Sequence, residues 1–470
     1  MTELPPTALP DAPSSATVSP AGDRSLVIIL VVALLARLVV LVDVAAHRPH
    51  NWLFSHPYEM GLLADSLLHG HGFSSPFGVP TGPTALVAPG YPTLIAALFF
   101  VFGTDTFASE IAIIALQILV SLVTIWLMMR IARQVLDHRT AILAGAFWAV
   151  SLPLLWVPAI FWETSLSACA LPAMILLALR CRQQPTTASW LLLGSSAAIV
   201  ALINPALLPS LVAIMAWAAW QTRRVARTAP LERNQSWYIQ GQDIRVAFSS
   251  RKSHPPCSSL GHWNSGSALL GLLALLLLFS PWPIRNALQF HAFIPLRSTA
   301  GFELWMGNRP GATGFLDESL FPMYNRQELA SYVAKGEVVY MRDKSAQAWQ
   351  YIRAHPAVFL DLSLRRCFRF WSGTGNVDSA RFDELHALLT SLLGFTGLVL
   401  LYRNRRKAFA LLMALPLVLF PLPYYITHAE FRYRLDIDPL LTLLAAYAVT
   451  QLLARCSRPH SYSRREPERP

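Results

Sequence analysis

Charge is scarce in this chain: Asp, Glu, Lys and Arg together make up 14% of its 470 residues, while 54% are hydrophobic. Soluble domains carry about a quarter of their residues as charges, so a soluble globular class is excluded. Cysteine is scarce as well, with five at positions 169, 181, 257, 367 and 456, no CxxC pair and no His/Cys cluster at zinc-ligand spacing. That excludes a disulfide-stapled scaffold and a zinc module. Four of the five are expected in spans or on the cytoplasmic side, which leaves Cys367 without an extracytoplasmic partner, so no disulfide is expected. There is no glycine-rich phosphate loop, and with it goes the usual cradle for a nucleotide. There is also no internal repeat, which argues against the matched halves of a secondary transporter.

Long apolar runs are abundant. A bilayer core about 30 Å thick takes roughly 20 apolar residues as helix. Ten stretches come close to that length: 25–45, 107–129, 140–158, 162–180, 189–203, 205–221, 267–283, 385–402, 408–425 and 436–454. The fifth and sixth are short and share Asn204-Pro205 as their turn. The expected class is therefore an all-α polytopic membrane protein of about ten transmembrane helices. The run Tyr91 to Gly103 opens with Pro92 and ends at glycine. At 1.5 Å per residue it reaches only about 20 Å, so it suits an interfacial helix.

Excluding that run fixes the expected topology. With both termini in the cytoplasm, roughly 22 lysines and arginines fall on the inner side, against about three in the short outer loops (Arg48, Arg432 and Arg434). The net charge of +11 is then mostly a topology signal, and nucleic acid is not an expected partner. The expected order is a disordered Pro/Ala/Ser tail (1–24) and an N-terminal transmembrane module (25–221) that includes a first outer loop (46–106). After it come a flexible basic loop (222–266), one span (267–283), an outer segment of about 100 residues (284–384), the last spans (385–455) and a basic tail (456–470). The apolar run from Ser25 is too long for a signal-peptide core and reads as an uncleaved span. Within the outer segment a helix around Asp343 to Trp371 is expected to kink or break at His355-Pro356 and to rest its aromatics on the membrane surface.

The candidate chemistry gathers at one face. In HPYEMGLLADSLLHGHGF, the residues Met60, Leu63, Ala64, Leu67 and Leu68 form one helical stripe, with Glu59 in the first turn. Glu59 reads either as a carboxylate favoured by the helix dipole or as a general base tuned by partial desolvation. Glu163, in the outer turn PAIFWETS, is a second carboxyl at that face, or an interfacial anchor beside Trp162. Tyr58, His56, His69, His71 and Tyr91 are candidate substrate contacts. A metal is not required by the histidine spacing, although His56, His69 and His71 with Glu59 leave a divalent ion open. The stretch HAEFRYRLDIDP packs Glu430, Arg432, Arg434, Asp436 and Asp438 where a helix meets the bilayer, which points to function or to mutual pairing. Its arginines can hold a lipid phosphate bidentately. Arg37, inside the first span, is a functional candidate by depth or pairs with Asp43.

Five stretches carry a resemblance: PYEMGLLADSLLHGHGFSSPF, GPTALVAPGYPTLIAALFFVFG, PWPIRNALQFHAFIPLRSTAGFELWMGNRPGATGFLD, GEVVYMRDKSAQAWQYIRAHPAVFLDLSLRRCFRFW and AEFRYRLDIDP. In that order the chain resembles bacterial membrane glycosyltransferases with the C-type fold. These are the family 39-like group, related to protein O-mannosyltransferases and to the lipid A aminoarabinose transferase. The resemblance implies inverting transfer of a sugar from a polyprenyl-phosphate donor to a glycan, lipid or protein acceptor outside the bacterial cytoplasmic membrane. It also implies two helices along the membrane in the first outer loop, with an acidic base that falls at Glu59. Many relatives carry Asp, or an Asp-Glu pair, where this chain has Tyr58-Glu59. Glu163 matches a second acidic position in the aminoarabinose transferase, with Glu for Asp. Arg432 and Arg434 match basic positions near the donor phosphate, and Arg285 and Arg297 are added as candidates for the same role. A transporter or flippase of lipid-linked sugars is the alternative, using the same apolar groove and arginines.

Overall fold

The computed structural model describes residues 20–47, 59–228, 265–374 and 381–456. Most of the expected N-terminal tail, residues 229–264 of the basic loop, the C-terminal tail from 457, and His56 and Tyr58 lie outside the described residues. Among these residues the chain is helical, with one isolated bridge, Ser74 to Pro83, and no strand. The helices are α1 (Pro20–His47), α2 (Glu59–Leu68), α3 (Gly90–Phe102), α4 (Phe107–Val135), α5 (His138–Val150), α6 (Leu152–Trp156), α7 (Thr164–Gln183), α8 (Thr187–Ile203) and α9 (Leu208–Thr228). After the basic loop come α10 (Ser265–Phe279), α11 (Pro281–Phe290), α12 (Ala300–Gly307), α13 (Arg326–Lys335), α14 (Glu337–Ala354) and α15 (Pro356–Ser372). The last part holds α16 (Arg381–Arg403), α17 (Lys407–Leu419), α18 (Leu422–Ile426), α19 (Phe431–Arg434) and α20 (Asp438–Cys456).

This is a polytopic all-α membrane protein. Seven helices have the length and apolarity of a span, and His138–Val150 with Leu152–Ala159 makes an eighth that is bent by 63°. All ten expected stretches are helical, but Thr187–Ile203 is only 17 residues long and Leu208–Thr228 carries basic residues over its last turns. The helix that begins near residue 266 runs on to Phe290, beyond the expected end at 283. Pro281 and Pro283 lie in the first turn of α11, where a missing N–H costs nothing, so the chain remains helical across them. Large exposed apolar side chains such as Val39 on α1, Leu277 on α10 and Leu392 on α16 would be a liability in water and suit a lipid solvent.

Local chemistry sets the ends. Thr106 and Ser109 form a capping box on α4, each side chain bonded to the other's backbone N–H at 3.1 Å. Asp137 caps α5 through Thr140 N at 2.8 Å. Asn204 accepts from Ala206 N at 3.1 Å and starts the 3-10 turn Pro205–Leu207 that leads into α9. The expected break at His355-Pro356 is present, between α14 and α15. The first eleven residues of α20, Asp438 to Ala448, are all buried, as a helix apolar on every side should be. That helix packs against α5, α7 and α16, and Gly397 of α16 leaves no room for a Cβ against Leu444 O. Arg37 is 1% exposed and donates to Ser121 Oγ at 3.0 Å, Trp148 O at 3.1 Å and Ala149 O at 3.2 Å. It pins α1 to α4 and α5, and Asp43 pairs with His47 instead.

Candidate functional site around Arg432

The loop expected to be the first outer one is held down by the segment between α11 and α16, expected on the same side. Glu337 Oε2 accepts from Thr84 Oγ1 at 2.5 Å and Tyr332 Oη at 2.6 Å, and Oε1 accepts from Ala85 N at 2.8 Å. Arg285 donates to Thr84 O at 2.8 Å and Phe73 O at 3.0 Å, and Arg297 Nε donates to Leu86 O at 3.0 Å. These bonds satisfy loop carbonyls that would otherwise lack partners. They also seat α2 and its Glu59 beside the outer segment.

A second set of contacts locks the outer segment to the turn before α19. Arg366 donates to Gly307 O and, at 3.2 Å, to Ile426 O, while Asn308 Nδ2 donates to Ile426 O at 2.8 Å. Gly307 faces Thr427 O so closely that any Cβ there would collide with it. The result brings Glu303 of α12 to His428, with Oε2 3.4 Å from Nδ1, and His428 Nε2 lies 2.7 Å from Tyr433 Oη.

Arg432 is the centre of this arrangement. Its guanidinium carbon lies 4.4 Å above the Trp162 ring and 5.3 Å from the Tyr433 ring, and its Nε is 3.9 Å from Glu430 Oε2. Burial alone would weaken this cation, but Tyr433, Glu430 and Glu163 around it hold its pKa above the ordinary value. Glu59 is 8% exposed, and burial raises its pKa against the opposing pull of Arg297 and Arg432. Glu303 is pushed up to about 7 by burial, with Arg297 opposing and Glu59 and Glu430 adding to the rise. Asp436 is raised well above the carboxylate range by burial and by Glu163. Its Oδ2 accepts from Asn204 at 2.8 Å, while its Oδ1 has no partner. Glu163 Oε2 and Tyr91 Oη are likewise buried without a hydrogen-bond partner.

The structure thus brings Glu59, Glu163, Arg297 and Arg432 into one electrostatic neighbourhood. It does not bring in every candidate. Arg434 is fully buried in an ion pair with Asp438 at 2.6 Å, and Asp438 also meets His386 Nε2 at 2.7 Å. Arg285 is occupied by loop carbonyls. His69 pairs with Asp65 at 3.2 Å and stacks on His71, 6.4 Å between ring centres, on the exposed side of the loop. Among the described residues no three His, Cys, Asp or Glu side chains are arranged to hold a metal. Glu303, His428, Tyr433 and Asn308 were not singled out from the sequence. The only signals they carried were a lone glutamate in GFELWMGN and a histidine just before AEFRYR.

The fold and site define a multi-pass helical membrane protein with a basic and acidic cluster beside α2. Residues 86–231 match the family model described as dolichyl-phosphate-mannose-protein mannosyltransferase. The resemblance to family 39-like membrane glycosyltransferases is borne out over that stretch. Among solved structures the chain is similar to the archaeal oligosaccharyltransferase AglB from Archaeoglobus fulgidus, solved with an inhibitory peptide and a dolichol-phosphate. That match has 13% identity and a TM-score of 0.46, and covers 94% of this chain and 51% of that one. It is also similar to ArnT from Cupriavidus metallidurans in the apo state, at 13% identity and a TM-score of 0.31, over 88% of this chain and 77% of that one. The chain spans about half the length of the oligosaccharyltransferase it matches. No curated protein matches it at a significant level.

Proposed function

We propose that this protein is an integral membrane glycosyltransferase that moves a sugar, with inversion, from a polyprenyl-phosphate donor to an acceptor outside the cytoplasmic membrane of a bacterium. The observation that carries the reading is Glu59, buried at the start of α2 within the field of Arg297 and Arg432. Transfer of this kind needs a base for the acceptor hydroxyl and a cation for the departing lipid phosphate. Glu59 takes the hydroxyl proton as the acceptor oxygen bonds to the anomeric carbon. The bond from that carbon to the phosphate oxygen breaks, and Arg432, with Arg297 beside it, stabilises the charge left on the lipid. Glu163 Oε2, Asp436 Oδ1 and Tyr91 Oη, buried without partners, are suited to bonding sugar hydroxyls. Both termini are placed in the cytoplasm, and the acceptor is a glycan, lipid or protein.

The test supplies radiolabelled polyprenyl-phosphate sugars to membranes containing wild type or Glu59→Gln at matched expression. The expected result is transfer by wild type and a loss of at least about a hundredfold in the mutant, the usual worth of a general base. Transfer that survives the mutation moves the base elsewhere, with Glu163 the next to change. No transfer from any donor points instead to a carrier of lipid-linked sugars.

A further inference from the structure

We propose that Tyr433 is a further ligand of the donor lipid's phosphodiester, and that Glu303, acting through His428, decides whether the Tyr433 hydroxyl hydrogen is free to reach it. This rests on the glycosyltransferase reading and adds a binding group to the same site.

The geometry is a chain of three groups. Tyr433 Oη and His428 Nε2 are 2.7 Å apart, and His428 Nδ1 is 3.4 Å from Glu303 Oε2. Neither Nδ1 nor Oε2 has a hydrogen-bond partner, the 3.4 Å between them being an ion-pair contact that a small side-chain shift closes to a hydrogen bond, and the imidazole is buried. A neutral imidazole has one N–H and one acceptor nitrogen. With Glu303 ionised, Nδ1–H points at the carboxylate, Nε2 becomes the acceptor, and the Tyr433 hydrogen is used on it. With Glu303 protonated, the carboxyl donates to Nδ1, Nε2–H donates to Tyr433 Oη, and the phenolic hydrogen is released. It is released beside Arg432, the cation placed against the phosphate. The Tyr433 ring cannot swing away easily, because it stacks on Tyr424 with centres 4.6 Å apart and planes 16° apart.

The surrounding charges set where this happens. Glu303 is faced by Arg297, Glu59, Glu430 and Arg432, which bring its ionisation to about 7. His428 is pushed down to about 3 by burial and by Arg366, Arg432 and Arg297, so its ring stays neutral while Glu303 titrates. Tyr433 is faced by Glu430, Arg432, Glu303 and Tyr424. Of the charges on and beside α14, which packs on α12, Lys344 is engaged with Glu328 at 2.7 Å, Lys335 with Asp343 at 2.8 Å, and Glu337 with Thr84, Ala85 and Tyr332, while Arg342 and Arg353 are exposed.

The experiment measures binding of a polyprenyl methyl phosphate to the purified full-length protein. Such a diester keeps one charge across the range and needs no knowledge of the sugar. From about pH 6 to about pH 8 the wild-type affinity should fall about tenfold, the worth of one hydrogen bond to a charged group. Glu303→Gln cannot ionise, and its affinity should stay constant from about pH 6 to about pH 8. Tyr433→Phe keeps the ring stack, and should bind weakly with no pH dependence. Thermal unfolding confirms that each variant is folded. A Tyr433→Phe protein that retains the wild-type pH dependence would overturn the proposal, because charge repulsion from Glu303 would then suffice; so would a flat wild-type profile. Absence of diester binding in every variant at every pH would instead remove the glycosyltransferase reading on which the proposal rests.

Discussion

Glu59 is held between two opposing effects, burial that favours its neutral form and two arginines that favour its anion. Burial wins, so its ionisation lies above the ordinary carboxylate value of about 4.3. A base works only when ionised, so sugar transfer should rise with pH through that raised value. The pH dependence of transfer at saturating donor checks it, and a rate already at its plateau at about pH 4 would count against Glu59 as base. In FRYRLDIDP the structure divides the charges: Arg434 and Asp438 neutralise each other inside the bundle, while Arg432 and Asp436 remain at the site. The sequence left mutual pairing open without naming the pair, since Arg434 ends α19 and Asp438 opens α20. Asp438→Asn would leave the Arg434 cation buried beside Thr390 and Ser391 with no counter-charge. It should lower stability by about 3–5 kcal/mol, read as a drop in unfolding temperature in detergent.

Among the elements, the short helices decide where the site forms. α12 spans only eight residues, and it reaches the turn after α18 because Gly307 has no side chain to hold it off Thr427. Gly307→Val should separate Glu303 from His428 and cost at least about 1–3 kcal/mol through overpacking. Thermal unfolding and diester binding should both weaken, and a variant that lost neither would show the close approach to be dispensable. The break at His355-Pro356 and the interfacial length of α3 were legible because proline and helix rise act locally. The 63° bend between His138–Val150 and Leu152–Ala159 was hidden within a single apolar run, 140–158, because hydropathy measures greasiness and carries no direction. The continuation of the span of α10 through α11 to Phe290 was missed for the same reason.

At the scale of the whole molecule, the proposed topology puts both termini and the basic loops on one side because their positive charges favour the cytoplasm, and labelling tests it. A single cysteine introduced as His71→Cys, at an exposed position of the loop proposed to lie outside, should react with a membrane-impermeant maleimide in intact cells. Arg405→Cys, in the exposed turn between α16 and α17, should react only after the membrane is opened. The reverse pattern would invert the topology and place the site in the cytoplasm. By itself the sequence determined the membrane class, the helices, the expected sidedness and the concentration of acid and base at one face. Those properties come from composition, periodicity and local backbone rules. Only the tertiary structure decided which arginine is spent on Asp438 and which is held among Trp162, Glu430 and Tyr433. It alone joined Glu303 to His428 across more than a hundred residues of chain. Partnership of that kind depends on distances between elements that no local pattern encodes, and burial then multiplies the effect of each distance on charge.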